Sequence, residues 1–317
     1  MKEKTMNTVK PVLGCVLALR LITVWGQAEI CEECETTARI TLQASLADAR
    51  GDYYLGVARG TLIADENERE EFLEEALTEF RESVGEAREV HEARLDLCDR
   101  LEECIYVPNT DPENFVTPAE AAANPNPYWP MVPGTTFVYE SETEEGLETI
   151  RVAITDETKE IIGIDCVVVR DTVWLEDEVI EDTWDWFAQD KDGNVWYMGE
   201  YTEEYEDGEF VGIEGSWEAG EDGALPGIVM WADPVVGTAY RQELLLGEAE
   251  DAGVILALGV SAEVPFGSYS DCVQTLDLNP HDPGVIEHKF YAPGVGFVYE
   301  VKPESGEEVV LVAIERP

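Results

Sequence analysis

Only three histidines occur in 317 residues, and the familiar catalytic patterns are missing. There is no G-x-S-x-G elbow, no H-E-x-x-H helix and no phosphate-binding loop. So few imidazoles leave most hydrolytic mechanisms without a general base. His281 beside Asp282, and Glu287 beside His288, are the pairs that could ligate a metal. The first pair lies in the turn "NPHDPG" and the second in a strand with ordinary packing neighbours. No metal and no cofactor is assigned, and the chain reads as a non-enzyme.

Positive charge is also scarce. Against 69 Asp+Glu stand 20 Lys+Arg, a formal net charge of −49. That excess repels nucleic acid and anionic membranes, so partners should be neutral or cationic. Long apolar runs are nearly absent as well. The one example, "PVLGCVLALRLITVWG", is interrupted by Arg20 and is too short to span a bilayer. It follows Lys2, Lys4 and Lys10 and precedes the small residues of "GQA" ending at Ala28. Residues 1–28 therefore read as a signal peptide, and the protein as secreted, periplasmic or at the cell surface, with no membrane span. Cys15 in "VLGC" has almost no apolar stretch before it, so a lipid anchor is not expected.

Proline is absent from Glu35 to Cys104, where apolar residues recur at helical spacing. Leu42, Leu46, Ala49, Tyr53, Gly56 and Gly60 form one stripe; Leu73, Leu77, Phe80, Val84 and Ala87 form another. The small residues at 56 and 60 let two helices approach closely. Asp65 followed by Glu68 reads as an N-cap with a capping-box partner, so the helices turn back near Asp65. Cys34 lies 31 residues before Asp65 and Cys98 lies 33 after it, which puts them at one height. The spacing predicts a Cys34–Cys98 disulfide, with Cys31–Cys104 at the open end. An exported chain favours this over a four-thiolate zinc site. Cys166 and Cys272, each opening a valine-containing run, are expected to pair with one another.

From Val107 to Gly134 seven prolines accumulate, and the chain reads as an extended connector. Beyond it the period becomes two, in β-branched and aromatic runs separated by Gly, Pro and Asp-Gly turns. The fold class is α+β. A stapled antiparallel helical hairpin over 29–105 and a linker over 106–125 precede a curved, mostly antiparallel, half-barrel-like sheet over 126–317.

The stretch "WDWFAQDKDGNVWYM" holds a calcium-loop look in its centre. With Gly193 as the sixth position of such a loop, Ala188 stands first and Gly199 last, where oxygen ligands are required. "DKDGN" is therefore a hairpin corner with Gly193 left-handed. About that corner Trp184, Trp186, Ala188, Trp196 and Met198 share one face, while Phe187, Val195 and Tyr197 share the other. A sheet apolar on both faces must be covered on both or must hold something. Trp184, Trp186, Trp196 and Met198 are the candidate ligand-binding residues.

Three stretches, "NPYWPMVPGTTFVYE", "AEVPFGSYSDCVQT" and "EHKFYAPGVGFVYEV", together resemble a group of exported bacterial proteins of unknown function. One departure is Phe137, which stands where that pattern has tryptophan. The resemblance implies a half-barrel like that of LolA-type lipoprotein carriers, and it leaves the helical hairpin uncovered. Its motifs are turn and packing residues, Pro265 with Gly267 and Pro293 with Gly294, and no catalytic residue carries over. The expected function is an acidic, exported, non-catalytic binding protein, holding an apolar small molecule or a protein partner on its sheet. The alternative is a structural surface module with diffuse divalent-cation binding.

Overall fold

The computed structural model describes residues 32–102 and 105–316. The expected signal peptide and the expected Cys31–Cys104 bond lie outside the described residues. Helix α1 (Glu32–Gly60) and helix α2 (Glu66–Leu101) form the hairpin. Asp65 caps α2, its Oδ1 accepting from the N–H groups of Asn67 and Glu68 at 2.9 and 3.1 Å. A Cβ at Gly56 would lie 3.1 Å from that of Ala76, and one at Gly60 would lie 2.7 Å from Leu73. Glycine at these positions is what allows the close crossing. Cys34 and Cys98 are bonded with Cα atoms 5.9 Å apart, as the heights about Asp65 require.

The proline-rich segment is more than an extended connector. Pro112–Asn114 form a single 3-10 turn, and α3 (Pro118–Ala123) is a short helix with a Thr117/Glu120 capping box. Both begin with proline, which the first helical turn tolerates because its N–H would be orphaned anyway. Between them Phe115 is buried and packs edge-on against Trp196 at 5.9 Å. Phe115 thus joins the hydrophobic core of the sheet from within the proline-rich segment.

Among the described residues fifteen strands follow, joined in one sheet. They begin with β1 (Thr136–Glu142), β2 (Leu147–Ile161), β3 (Ile164–Leu175), β4 (Glu178–Gln189) and β5 (Val195–Glu206). Shorter strands come next: β6 (Glu209–Gly212), β7 (Trp217–Glu218), β8 (Leu225–Met230), β9 (Ala239–Arg241) and β10 (Glu243–Leu244). The last are β11 (Ala252–Val264), β12 (Gly267–Leu278), β13 (Glu287–Ala292), β14 (Gly296–Val301) and β15 (Glu308–Glu315). The spatial order is β10-β8-β5-β4-β3-β2-β1-β15-β14-β13-β12-β11-β9, every named pairing being antiparallel. First and last long strands pair, β1 with β15, and the sheet curls into a nearly closed barrel. Gln242 makes the seam: on one side of it β9 pairs with β11, and on the other β10 pairs with β8. A Cβ at Gly227 of β8 would stand 2.4 Å from the Arg241 carbonyl, so only glycine lets the two edges meet there.

One expectation is corrected. Cys166 and Cys272 are both free and buried. Cys166 on β3 stands opposite Lys159 of β2, and Cys272 on β12 opposite Val260 of β11. Five strands separate β3 from β12 along the sheet. In a meander the neighbours are set by hairpin connections, and a shared local pattern in two distant runs does not bring them together.

Candidate functional site: a lined barrel interior

The DKDGN corner spends its own oxygens. Asp190 accepts from the Asn194 backbone and side chain at 2.8 Å each and from the Trp196 indole at 3.0 Å. Gly193, at φ +88°, closes the turn.

Inside the barrel lies a cavity of about 390 Å³ whose lining residues come from strands all round the sheet. Register explains the rows. Ile154, Val169 and Asp185 stand side by side across β2, β3 and β4, and Val152 stands opposite Asp171 in the next row. One end is crossed by the segment carrying Trp129, Pro130 and Met131. Asn126, almost fully buried, fixes that segment. Its Oδ1 accepts from the N–H groups of Tyr128 and Trp129 at 2.8 and 3.1 Å, and its Nδ2 donates to Gly193 at 2.8 Å. The Trp129 ring then reaches Phe187 on β4 at 5.4 Å and Tyr291 on β13 at 5.8 Å, bridging opposite walls.

Side chains two residues apart share a strand face, about 7 Å apart along the chain. Two residues from Phe187 stands Asp185, and two from Tyr291 stands Lys289, so a charged layer lies beneath the aromatic one. Six carboxylates line the cavity: Asp171, Asp185, Glu243, Asp251, Asp277 and Glu300. Lys289 is the one basic residue among the lining residues, with its Nζ 3.2 Å from Asp277, 3.0 Å from Glu287 and 3.8 Å from Glu300. Burial alone would lower its pKa, but these neighbours hold it well above the ordinary lysine value.

The remaining acids are under-compensated. Burial, followed by the Asp185 charge, lifts Asp171 well above the carboxylate range; burial and Asp251 do the same to Glu243. Burial brings Asp251 to about 6, Asp185 to about 7 and Glu200 to about 8. Tyr197 gives this a geometric basis. Its hydroxyl lies 2.6 Å from Asp185 and 2.9 Å from Glu200, yet it has one proton to donate. To bond both, one of the two carboxyls must carry a proton of its own. Among the described residues, Asp171 Oδ1 and Asp251 Oδ1 are buried and meet no hydrogen-bond partner, and Glu243 Oε2 meets none of good geometry, with the Trp217 indole near it.

The four residues singled out by sequence do not line this cavity. Trp184 stands against Tyr201 at 6.0 Å with the Arg170 guanidinium 5.2 Å from its ring. Trp186 is buried beneath Lys159, whose Nζ lies 3.2 Å from the ring centre. Trp196 packs on Phe115, and Met198 is fully buried at a bulge, where Trp186 pairs with Gly199 and Phe187 with Tyr197. The opposite face, with Phe187 stacked on Tyr197 at 4.8 Å, looks into the cavity. The helical hairpin covers neither face. It meets the sheet at the β9/β11 edge, through Leu97 and Leu101 on Ala252 and Ala239.

No protein-family model matches the chain, and no curated protein does. Among solved structures, the chain aligns with a crystal structure described as a "putative lipoprotein" from Parabacteroides distasonis. The TM-score is 0.29 at 11% identity, covering 59% of this chain and 98% of that one. So slight a likeness carries no argument about the cavity.

Proposed function

We propose that this is an exported, non-catalytic binding protein whose barrel interior receives a small molecule with an apolar body. The observation that carries the reading is the strand-ringed cavity, with Trp129, Phe137, Phe187 and Phe297 in its wall. About 390 Å³ falls within the roughly 300–1,000 Å³ typical of small-molecule sites. The signal-like N-terminus and the Cys34–Cys98 bond support export, since such bonds persist in oxidising compartments.

The neutral fluorophore N-phenyl-1-naphthylamine tests it. Wild type should bind with saturable enhancement; Val169→Phe, which fills the cavity, should abolish binding; Trp184→Ala should leave it intact. Binding lost in Trp184→Ala but kept in Val169→Phe would return the site to the outer aromatic face. No saturable binding by wild type would favour the structural-module reading.

A further inference from the structure

We propose that the ligand is a small organic cation, an amine whose apolar body packs under Trp129 while its ammonium group enters the carboxylate layer. This rests on the cavity reading above and names the chemistry of its occupant.

The argument begins with charge. Six carboxylates and one lysine line the cavity, and Lys289 is already shared among Asp277, Glu287 and Glu300. Asp171, Asp185 and Glu243 make no ion pair with a lining residue, and Asp251 feels Lys289 only through space. Acidic residues abound in this chain, so their number alone would mean little. Glu243 is different: it is 6% exposed, it lines the cavity, and its Oε2 has no well-formed hydrogen bond among the described residues, the Trp217 indole being a neighbouring donor that is itself unmatched. A buried acceptor left unmade is costly, and a donor brought by the ligand would relieve it. An ammonium offers three such donors together with the missing charge.

The second step concerns shape. The aromatic layer of Trp129, Phe187 and Tyr291 stands one strand step from the charged layer. A ligand filling both must be apolar at one end and cationic at the other. A compact metal ion suits the site poorly. Among the described residues no three acid, histidine or cysteine side chains converge closely enough to hold one. An anionic amphiphile would meet only like charge.

Three near-isosteric probes separate the cases by isothermal titration calorimetry at pH 7.5: 2-phenylethylamine, 2-phenylethanol and phenylacetate. The amine should bind at least about tenfold tighter than the alcohol, and phenylacetate weakest of all. Glu243→Gln should weaken the amine about tenfold and leave the alcohol unchanged, so that alcohol or fluorophore binding verifies the fold. Asp251→Asn serves the same purpose if Glu243→Gln does not fold. If N-phenyl-1-naphthylamine binds but the amine is no tighter than the alcohol, the cation proposal falls and the cavity reading stands. Phenylacetate binding tightest would overturn the proposal in the same way. If neither the fluorophore nor any probe binds, the cavity reading falls first and takes this one with it.

Discussion

Two buried carboxylate sites in this protein are built on opposite terms. Where the hairpin meets the barrel, Glu250 is 2% exposed and fully served. Arg94 of α2 donates to it from Nε at 2.9 Å and from Nη2 at 2.5 Å. The Gly247 N–H adds 2.9 Å, and His281 Nε2 lies at 3.1 Å. Burial would raise the Glu250 pKa, but the hydrogen bonds from His281 and Arg94 outweigh it and bring the value to about 2. Asp171, Asp185, Glu243 and Asp251 of the cavity have no such set of donors, and burial raises theirs. Charge that is matched within the fold holds two elements together. Charge that is unmatched is left available to something else.

Removing Glu250 should give the largest effect. Glu250→Ala leaves the Arg94 guanidinium, whose side chain is 8% exposed, buried without its partner. Breaking such a pair costs about 3–5 kcal/mol, read by urea denaturation. Arg94→Met combined with Glu250→Leu should recover most of that loss, because a well-packed apolar pair replaces a buried ion pair at little cost. Glu243→Gln, by contrast, should leave stability at pH 7.5 unchanged or raise it. Equal losses in Glu250→Ala and Glu243→Gln would erase the distinction between the two sites.

The pH profile comes next, and the two sites pull in opposite directions. A carboxyl whose folded pKa is raised binds its proton more tightly in the native state. Its stabilisation is complete below the unfolded value and is lost as pH rises through the folded one. Asp251 at about 6, Asp185 at about 7 and Glu200 at about 8 therefore favour the fold near pH 4–5 and weaken it towards pH 8. They act among Asp171 on β3, Glu181 on β4, Glu243 on β10, Asp277 on β12, Glu287 and Lys289 on β13 and Glu300 on β14. Glu250, depressed to about 2, stabilises above its unfolded value and loses that contribution as pH falls from about 4.5 towards 2. Maximum stability should thus lie near pH 4.5–5, below the usual neutral optimum. Thermal melts from pH 3 to pH 9 measure it, and a maximum at pH 7 or above would contradict the raised values of these three carboxyls.

The same contrast explains what the sequence made legible. The hairpin could be read because its signals are local: a 3.6-residue period, the Asp65 cap, and two cysteines at one height. The strands could be read from alternation, except β8, whose opening "LPG" looks like a turn, and the first part of β11, where "AGVILALGV" is small and apolar without alternating. Barrel closure could not. It depends on β1 meeting β15 and on the chain changing edges at Gln242, both long-range events. The four candidate residues fall on the face away from the barrel cavity for a physical reason. In β4 the apolar phase is Trp184, Trp186 and Ala188, and the usual rule turns such a phase inward. Here Phe115, Lys159 and neighbouring residues cover it from outside, while Asp185 and Phe187 look inward. The signal available was acid in phase with apolar residues, as with Asp171 after Val167 and Val169, or Lys289 before Tyr291. In a chain with 69 acidic residues that signal is nearly drowned.

Salt should have the smallest effect and should separate surface charge from buried charge. At a net −49 the folded chain repels itself, and unfolding spreads that charge out. Raising sodium chloride from 0.1 M to 1 M shortens the screening length from about 10 Å to about 3 Å, so the melting temperature should climb. Millimolar calcium should act similarly, through many weak contacts with exposed carboxylates. Nearly all of the net charge lies outside the cavity, so Glu243→Gln should displace the salt curve vertically and leave its slope unchanged. A steeper or flatter slope in that variant would mean that salt reaches the cavity, and the division between the two kinds of charge would fail. A sharp, saturating rise at micromolar calcium would reveal a compact ion site in place of a diffuse one. No response to either salt would show that the surface charges are too well solvated and spaced to matter for folding, leaving the buried carboxylates as the only ones that do.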